Sequence, residues 1–425
     1  MSLRVTPAEI VESAHRAGRP GLMLTHPSWP RTRLGDIAKV VNGAAFPSSA
    51  FNTDGHGLPL IRIRDVGATA ISTWYSGDWE AKYLAQTGAV LVGMDGDFRA
   101  ARWGLEPGLL NQRVCRIDVD PSRYDESFLL LVVQGYLDAI WEETSSVTVK
   151  HLSSRTVQAI PLPDPPLEEQ RRIVAILEDH LSHLDAANAS IQDAVCQVNA
   201  WAGNKIDALL WGSSAPLVSV GSLLREPLRN GRSGRAVREG SVGIRTLTIT
   251  AVTKNDFSAV NTKVTSTRPE EASDLWLEAG DIFVQRANTP ELVGTAARYD
   301  GPSDWATFPD LLIRVRARED VVDSAYLVEA MRSERAHRKL RAKAKGLAGS
   351  MPKIDQAAIA SWELPLPPME TQQELTIRLL RVAAIRDSML SSFDLATTRS
   401  KALRRSLLAA AFRGDLTATW RADGS

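Results

Sequence analysis

The strongest constraint in this chain is a stretch written twice. The segment PLPDPPLEEQRRIVAILEDHLSHLDAANASIQDAVCQVNAWAGNKIDALLWG, from Pro161 to Gly212, is matched by LPLPPMETQ…FRG, from Leu364 to Gly414, at a constant offset of 202 residues. Pro165-Pro166 becomes Pro367-Pro368, Glu168 becomes Glu370, Gln170 becomes Gln372 and Gly212 becomes Gly414, with no insertion or deletion between. Each copy opens with prolines that cannot sit inside a helix, continues with a glutamate favoured at the positive end of the helix dipole, and closes at a glycine able to turn left-handed. Two equal helices are implied. In the second copy a heptad row runs Leu375, Val382, Met389, Ala396, Leu403, Ala410, with Leu379, Phe393 and Leu407 beside it; the first copy places Leu177, Leu184, Ile191 and Val198 on one row and Ile173, Ala187, Ala194, Trp201 and Ala208 on the other. So narrow a seam over about 42 residues, roughly 60 Å of helix, suits two long helices packed on each other rather than helices sunk in a globular core.

The segments ahead of each helix also correspond. Leu34-Gly35-Asp36-Ile37 aligns with Val220-Gly221-Ser222-Leu223 at an offset of 186, Gly88 to Val92 with Gly280 to Val284 at 192, and Phe128-Leu129 with Tyr326-Leu327 at 198. The drift from 186 to 202 means that loops differ while a skeleton persists. The chain therefore reads as a tandem α+β protein: an extension (1–30), a first mixed domain (31–160), a first long helix (161–213), a second mixed domain (214–362), a second long helix (363–416) and a tail (417–425). Strands are expected at Pro59–Arg64, Ala89–Val92 and Arg113–Ile117, with a helix over Tyr124–Trp141. The second domain repeats them at Gly243–Val252, Asp281–Gln285 and Leu311–Val315, with a helix from Ser324 to about Lys345. Pro7 to Ala17 suits a short helix, and the extension reads as an appendage.

Composition narrows the function classes. A 425-residue chain with 44% hydrophobic and 24% charged residues suits two or three folded domains. Apolar runs such as Phe128–Val133 and Leu407–Phe412 are far too short to cross a bilayer, so a cytoplasmic protein is expected. Cys115 and Cys196 lie far apart without CxxC spacing, which suggests free thiols, no zinc site and no disulfide framework. Fifty basic and fifty acidic side chains cancel, so any polyanion surface must come from local asymmetry.

No catalytic set assembles convincingly. Asp164-Pro165-Pro166-Leu167 resembles the Asp-Pro-Pro-aromatic loop of amino-methyltransferases, but the aromatic residue and an upstream glycine-rich cofactor loop are missing. Asp65 with Glu80 and Lys82 has spacing that would serve a Mg²⁺-dependent nuclease. Basic clusters say more. Arg225, Arg229, Arg232, Arg235, Arg238 and Arg245 are threaded with glycines; Arg332, Arg335, Arg338, Lys339, Arg341, Lys343 and Lys345 share one expected helix and its end. Phosphate neutralisation calls for such residues, and the arginine fork matches the guanine edge. The candidate DNA-binding residues are thus Arg229, Arg232, Arg235, Arg238, Arg338, Lys339, Arg341, Lys343 and Lys345, joined in the first domain by Arg62, Arg64, Arg99, Arg102 and Lys150. Arg113 is a further weak candidate, whereas Trp74, Tyr75 and Trp79 suit core packing better than base stacking.

The tandem order, the helix starts PLPDPPLEEQRRIV and LPLPPMETQQEL, and the run VLVGMDGDFRAARWGLEPGLLNQRVCRI (Val90 to Ile117) together resemble the DNA-specificity subunits of type I restriction-modification systems. The resemblance spans nearly all of the chain beyond residue 30. It implies two target recognition domains, each followed by a long helix, the helices pairing as an antiparallel coiled coil that spaces the domains. It also implies a subunit without catalysis of its own that reads a bipartite, asymmetric DNA site, one half-site per domain. Methyltransferase subunits, usually two, would bind around the helices and carry S-adenosylmethionine; restriction subunits would bring ATP and Mg²⁺; this chain would need no cofactor. A pure assembly scaffold that binds no DNA is the remaining alternative. The sequence departs from the pattern in its extension and in Thr371-Gln372, where the first helix has Glu169-Gln170.

Overall fold

The computed structural model describes residues 6–16, 23–143, 151–212, 214–237, 243–346 and 351–423. Two compact units divide it, Met1–Ser190 with Ala396–Ser425, and Ile191–Leu395, so each long helix contributes one end to each unit.

In the first unit an antiparallel sheet runs in the order Ala38–Asn42, Val114–Val119, Val90–Gly93, Ala100–Arg102. Successive side chains on a strand point to opposite faces, and both faces here are covered. Val90, Val92, Cys115 and Ile117 pack with Phe128, Val132 and Leu137 of the helix Glu126–Glu143. Leu91 and Val114 pack the other way, with Ile61, Leu110 and Trp103. This explains the unbroken apolar run at Val90–Val92. Burial pushes the Cys115 thiol up to about 12, while Cys196 is exposed, and both are free.

The second unit repeats the plan. Its sheet runs Arg229–Asn230, Leu312–Val315, Ile282–Gln285, Ala296–Arg298. Ile282, Val284, Ile313 and Val315 face Tyr326, Leu327 and Met331; Phe283 and Leu312 face Leu247, Phe308 and Tyr299. The strands beside the long helices match as well, Arg31 pairing with Pro163 and Leu217 with Pro365.

Both long helices start alike. Gln170 is fully buried; its Oε1 accepts from the Asp125 backbone N–H at 2.7 Å and its Nε2 donates to Pro165 O at 2.8 Å. Gln372 accepts from the Asp323 N–H at 2.9 Å and donates to Pro367 O at 2.8 Å. Tyr124 and Tyr326 donate their hydroxyls to Pro163 O and Pro365 O at 2.7 and 2.8 Å.

The helices, Leu167–Trp211 and Met369–Phe412, pair antiparallel. In the first unit Ile173, Leu177 and Leu181 share a cluster with Leu407, Ala411 and Phe412, and Arg404 bridges Asp185 at 2.6 Å. In the second unit Ile206 and Leu210 cluster with Leu375 and Leu379. The heptad rows hold only in part. Trp201, Met389 and Leu403 are 40–50% exposed, while Val198, Ala202 and Leu210 are buried. A straight helix drifts about 20° per heptad against a 3.5-residue repeat. Over six heptads the buried stripe therefore moves by about one residue.

Four other expectations change. Gly243–Val252 is a strand only over Ile244–Leu247, followed by the short helix Ile249–Thr253. The expected helix from Ser324 breaks at Ser333, whose Oγ caps Glu334–Arg341 by accepting from the Ala336 N–H. Gly414 turns left-handed at φ 79° whereas Gly212 does not, its N–H still bonding Ala208 O at 3.1 Å. The extension is not an appendage: Ile10 and Val11 of Pro7–Arg16, with Met23 and Trp29, are buried in the first core.

Trp29 also joins a polar clamp. Glu169, 1% exposed, accepts from Trp29 Nε1 at 3.0 Å, from Thr417 Oγ1 at 2.7 Å and from the Arg421 guanidinium. Arg421→Ala leaves a buried carboxylate without its charge partner, so it should destabilise the first unit by about 3–5 kcal/mol in denaturant unfolding. Glu169→Gln in the same chain should recover most of that loss.

Candidate nucleic-acid interface

In each unit three chain segments meet at the end of the central strand and are joined by main-chain bonds. In the first, the Met94 N–H donates to Arg113 O at 2.9 Å and the Leu152 N–H to Met94 O at 2.7 Å. In the second, the Arg286 N–H donates to Leu311 O and the Ile354 N–H to Arg286 O, both at 2.8 Å. Bridges Asp95–His151 and Ala287–Lys353 extend the two junctions. Gly43 and Gly231 let a neighbouring segment cross close by: a methyl at Gly43 would lie 2.1 Å from Asn111 O, and one at Gly231 2.2 Å from Phe308 O.

Around the first junction the structure gathers some of the expected cations. Arg62 and Arg64 lie on the turn after Leu58–Ile61, where the Asp65 carboxylate accepts from the Arg62 N–H at 2.9 Å. Arg99 follows the turn beyond Val90–Gly93 and lays its guanidinium over Gly67, at which a methyl would sit 2.8 Å from Cζ. Arg64 and Arg99 are exposed, with no carboxylate partner among the described residues. Arg102 is elsewhere: it pairs with Glu126, donates to Gly88 O at 2.9 Å and lines a hollow with Arg116 and Asp118. Lys150 lies outside the described residues.

The second unit spends more of its cations on itself. Arg229 pairs with Asp274 and Arg232 with Glu271 at 3.3 Å. Hydrogen bonds from Arg268, backbone first, hold the Glu271 carboxyl below its ordinary range. Arg235 is exposed and has no ion partner among the described residues, and Arg238 lies outside them. On Glu334–Arg341, Arg341 bonds Glu334 at 2.9 Å and Arg338 approaches it at 3.9 Å. Arg335 and Lys339 sit over the Trp211 ring at 4.6 and 5.1 Å. Lys343 donates to Ser361 O at 3.1 Å, and Lys345 meets Asp355 at 3.1 Å. His337 Nε2 lies 2.8 Å from Val293 O, and burial lowers its pKa, so the neutral ring donates there and ties this helix to the turn beyond Ile282–Gln285. Exposed ion pairs contribute about 0–1 kcal/mol, so an arriving phosphate can compete for their cations.

The sequence reading missed Asp95, His151, Arg286 and Lys353 at the junctions. Applying the offsets of 192 and 202 beyond the helices would have paired Asp95 with Ala287 and His151 with Lys353. The nuclease trio fares differently: Asp65 is 4% exposed and committed to its turn, while Lys82 pairs with Glu80 at 2.7 Å. Among the described residues, no group of three or more His, Cys, Asp or Glu side chains is placed to hold a metal.

Known proteins resemble this chain in sequence and in fold. Residues 28–195 match the type I restriction modification DNA specificity domain family. The type I restriction enzyme EcoBI specificity subunit of Escherichia coli is 32% identical over 460 aligned residues, covering all of this chain and 93% of that protein. The chain belongs to the type I restriction enzyme specificity subunits. The EcoKI specificity subunit of Escherichia coli K12 is 28% identical over 68% of this chain and 64% of its own length. A solved chain from work on complex assembly and conformational transition of the type I R-M system shares the fold, with a TM-score of 0.68 at 16% identity, over 92% of this chain and 99% of that one. Among the described residues, no helix of this specificity subunit is long and apolar enough to cross a membrane.

If the unpaired cations meet phosphates, Arg99→Ala with Arg235→Ala should weaken DNA binding across all sequences and reduce the salt slope by about two. Fluorescence anisotropy against salt concentration, on the assembled complex, measures both. Arg102→Ala, which removes a side chain placed away from the junction beside Gly88 and Glu126, should leave the slope unchanged.

Proposed function

We propose that this specificity subunit reads a bipartite, asymmetric DNA site, one half-site per recognition domain, with the gap set by the helix pair. The observation that carries the reading is the duplicated junction: one main-chain scaffold, made twice, bearing different side chains and loops of different length. A pair of similar units in one chain suits two half-sites on a duplex, and unlike side chains suit unlike half-sites.

Other subunits of the system dock on the helices in this reading. Ile377, Leu380, Leu395 and Leu403 stand 49–62% exposed along Met369–Phe412, and Trp201 is 42% exposed on the other helix. An apolar row of that kind on a helix already packed on one side suits further helices. Methyltransferase subunits, two in number, would bring S-adenosylmethionine, and restriction subunits ATP and Mg²⁺; this chain would hold no cofactor and catalyse nothing in the cytoplasm where it works. The nuclease alternative is disfavoured by the commitment of Asp65 to its turn. The scaffold alternative predicts no sequence preference in the assembled complex.

Inserting four residues at matching places near Ala187 and Ala396 tests the ruler. Each helix lengthens by about 6 Å, so the unspecified gap should grow by about two base pairs. The insertion also turns the helix by about 40° beyond a full turn, while two base pairs rotate the duplex by about 70°, so affinity should fall without vanishing. Mapping of methylated sites should show unchanged half-sites at the wider spacing. An active, assembled variant that keeps the original gap would show that the helices do not measure the DNA.

A further inference from the structure

We propose that Arg113 and His151, held in place by Asp95, read bases in the half-site of the first recognition domain; this rests on the DNA-recognition reading above. Asp95 forms an ion pair with Arg113, 3.2 Å from its Nε, and a hydrogen bond with His151 Nδ1 at 2.7 Å, while Arg113 Nη1 stands 3.1 Å from the same Nδ1. The carboxylate is the more covered member, its side chain 27% exposed against 48% for Arg113 and 36% for His151, so the two heads stand outward on a shared base. Arg113 Nη2 and His151 Nε2 have no partner among the described residues.

Those free groups suit base edges. A guanidinium held beside a carboxylate has a restricted direction, and its planar outer N–H groups match guanine O6 and N7. With Nδ1 bound to a carboxylate the imidazole orientation is fixed, and Nε2 of the neutral ring can accept from an exocyclic amine. Asp95 and Arg113 also cancel in charge. A neutral cluster is a poor phosphate clamp and a good reader of donors and acceptors.

The second half supplies the comparison. Its junction makes the same main-chain bonds with Ala287, Leu311 and Lys353 at the matching positions. The scaffold therefore does not need the Asp-Arg-His set in order to form. Side chains that a shared scaffold does not need, projecting from the meeting point of three segments, are placed to differ with the sequence being read.

The test uses the complete assembled methyltransferase, with methylation mapped on a randomised DNA library and binding measured against salt. Arg113→Lys should relax discrimination at one base position of one half-site by about 5- to 150-fold, leave the other half-site unchanged and keep the salt slope. Asp95→Asn should relax the same position, and Asp95→Glu should restore part of the preference, as a positioning residue requires. A chain carrying Asp95→Ala, Arg113→Leu and His151→Lys, the set the second junction already tolerates, should assemble normally yet lose that preference. An unchanged first half-site in this active triple variant overturns the proposal. So does a uniform loss across sequences with a reduced salt slope, which marks a phosphate contact. A wild-type complex with no two-part preference would instead sink the recognition reading itself.

Discussion

A single buried amide side chain fixes how each long helix leaves its domain. The carbonyls of Pro165 and Pro367 lie ahead of the helix ladder, and Gln170 and Gln372 supply their donors. The same side chains accept the N–H of Asp125 and Asp323, which stand at the start of the domain helices. One residue thereby satisfies two otherwise orphaned backbone groups and sets the angle between two helices. A buried backbone group left without its partner costs about 1–3 kcal/mol. No apolar residue of similar size can do this job, which is why the position reads glutamine in both copies while its neighbour changes from Glu169 to Thr371.

From that fixed point the two halves share whatever is made by the main chain and differ in what is carried by side chains. The sheets have the same strand order, the close crossings fall at Gly43 and Gly231, and the three-segment junctions use the same hydrogen bonds. The polar groups diverge. The second unit buries Arg314 and Arg316 against Glu226, Glu278 and Asp281, whereas in the first unit Arg116 answers mainly to its neighbour Asp118. Arg314 and Arg316 are 4% and 10% exposed on their side chains, so these two cations are committed to the second core.

Much of this architecture was legible because it rests on local rules. Prolines, first-turn glutamates and a constant offset announced the helices, and apolar runs announced the central strands. The failures have physical causes. Ser333 interrupts a continuous basic pattern because a serine side chain can cap a new helix as readily as continue an old one. The heptad rows drift because straight helices keep 3.6 residues per turn, so Trp201 and Leu403 face outward. Charge clusters proved the least readable. Arg338, Arg341 and Lys345 look alike in sequence, yet their surroundings come from carboxylates that periodicity cannot place. His151 and Asp95 were invisible singly, since their meaning comes from a strand end that brings distant segments together.

The clamp at Glu169 separates the two copies in another way. After Gly212 the chain goes on into the strand Leu217–Ser219, whereas after Gly414 it turns into Asp415–Thr417 and the short helix Ala418–Ala422. Helix ends are where fraying begins. Glu169 binds the last turns through Thr417 and Arg421, and the incoming segment through Trp29, whereas Thr371 stands exposed. A carboxylate at the start of one long helix thus fastens the turns that follow the other long helix to the segment carrying Trp29, a rivet that the second copy lacks.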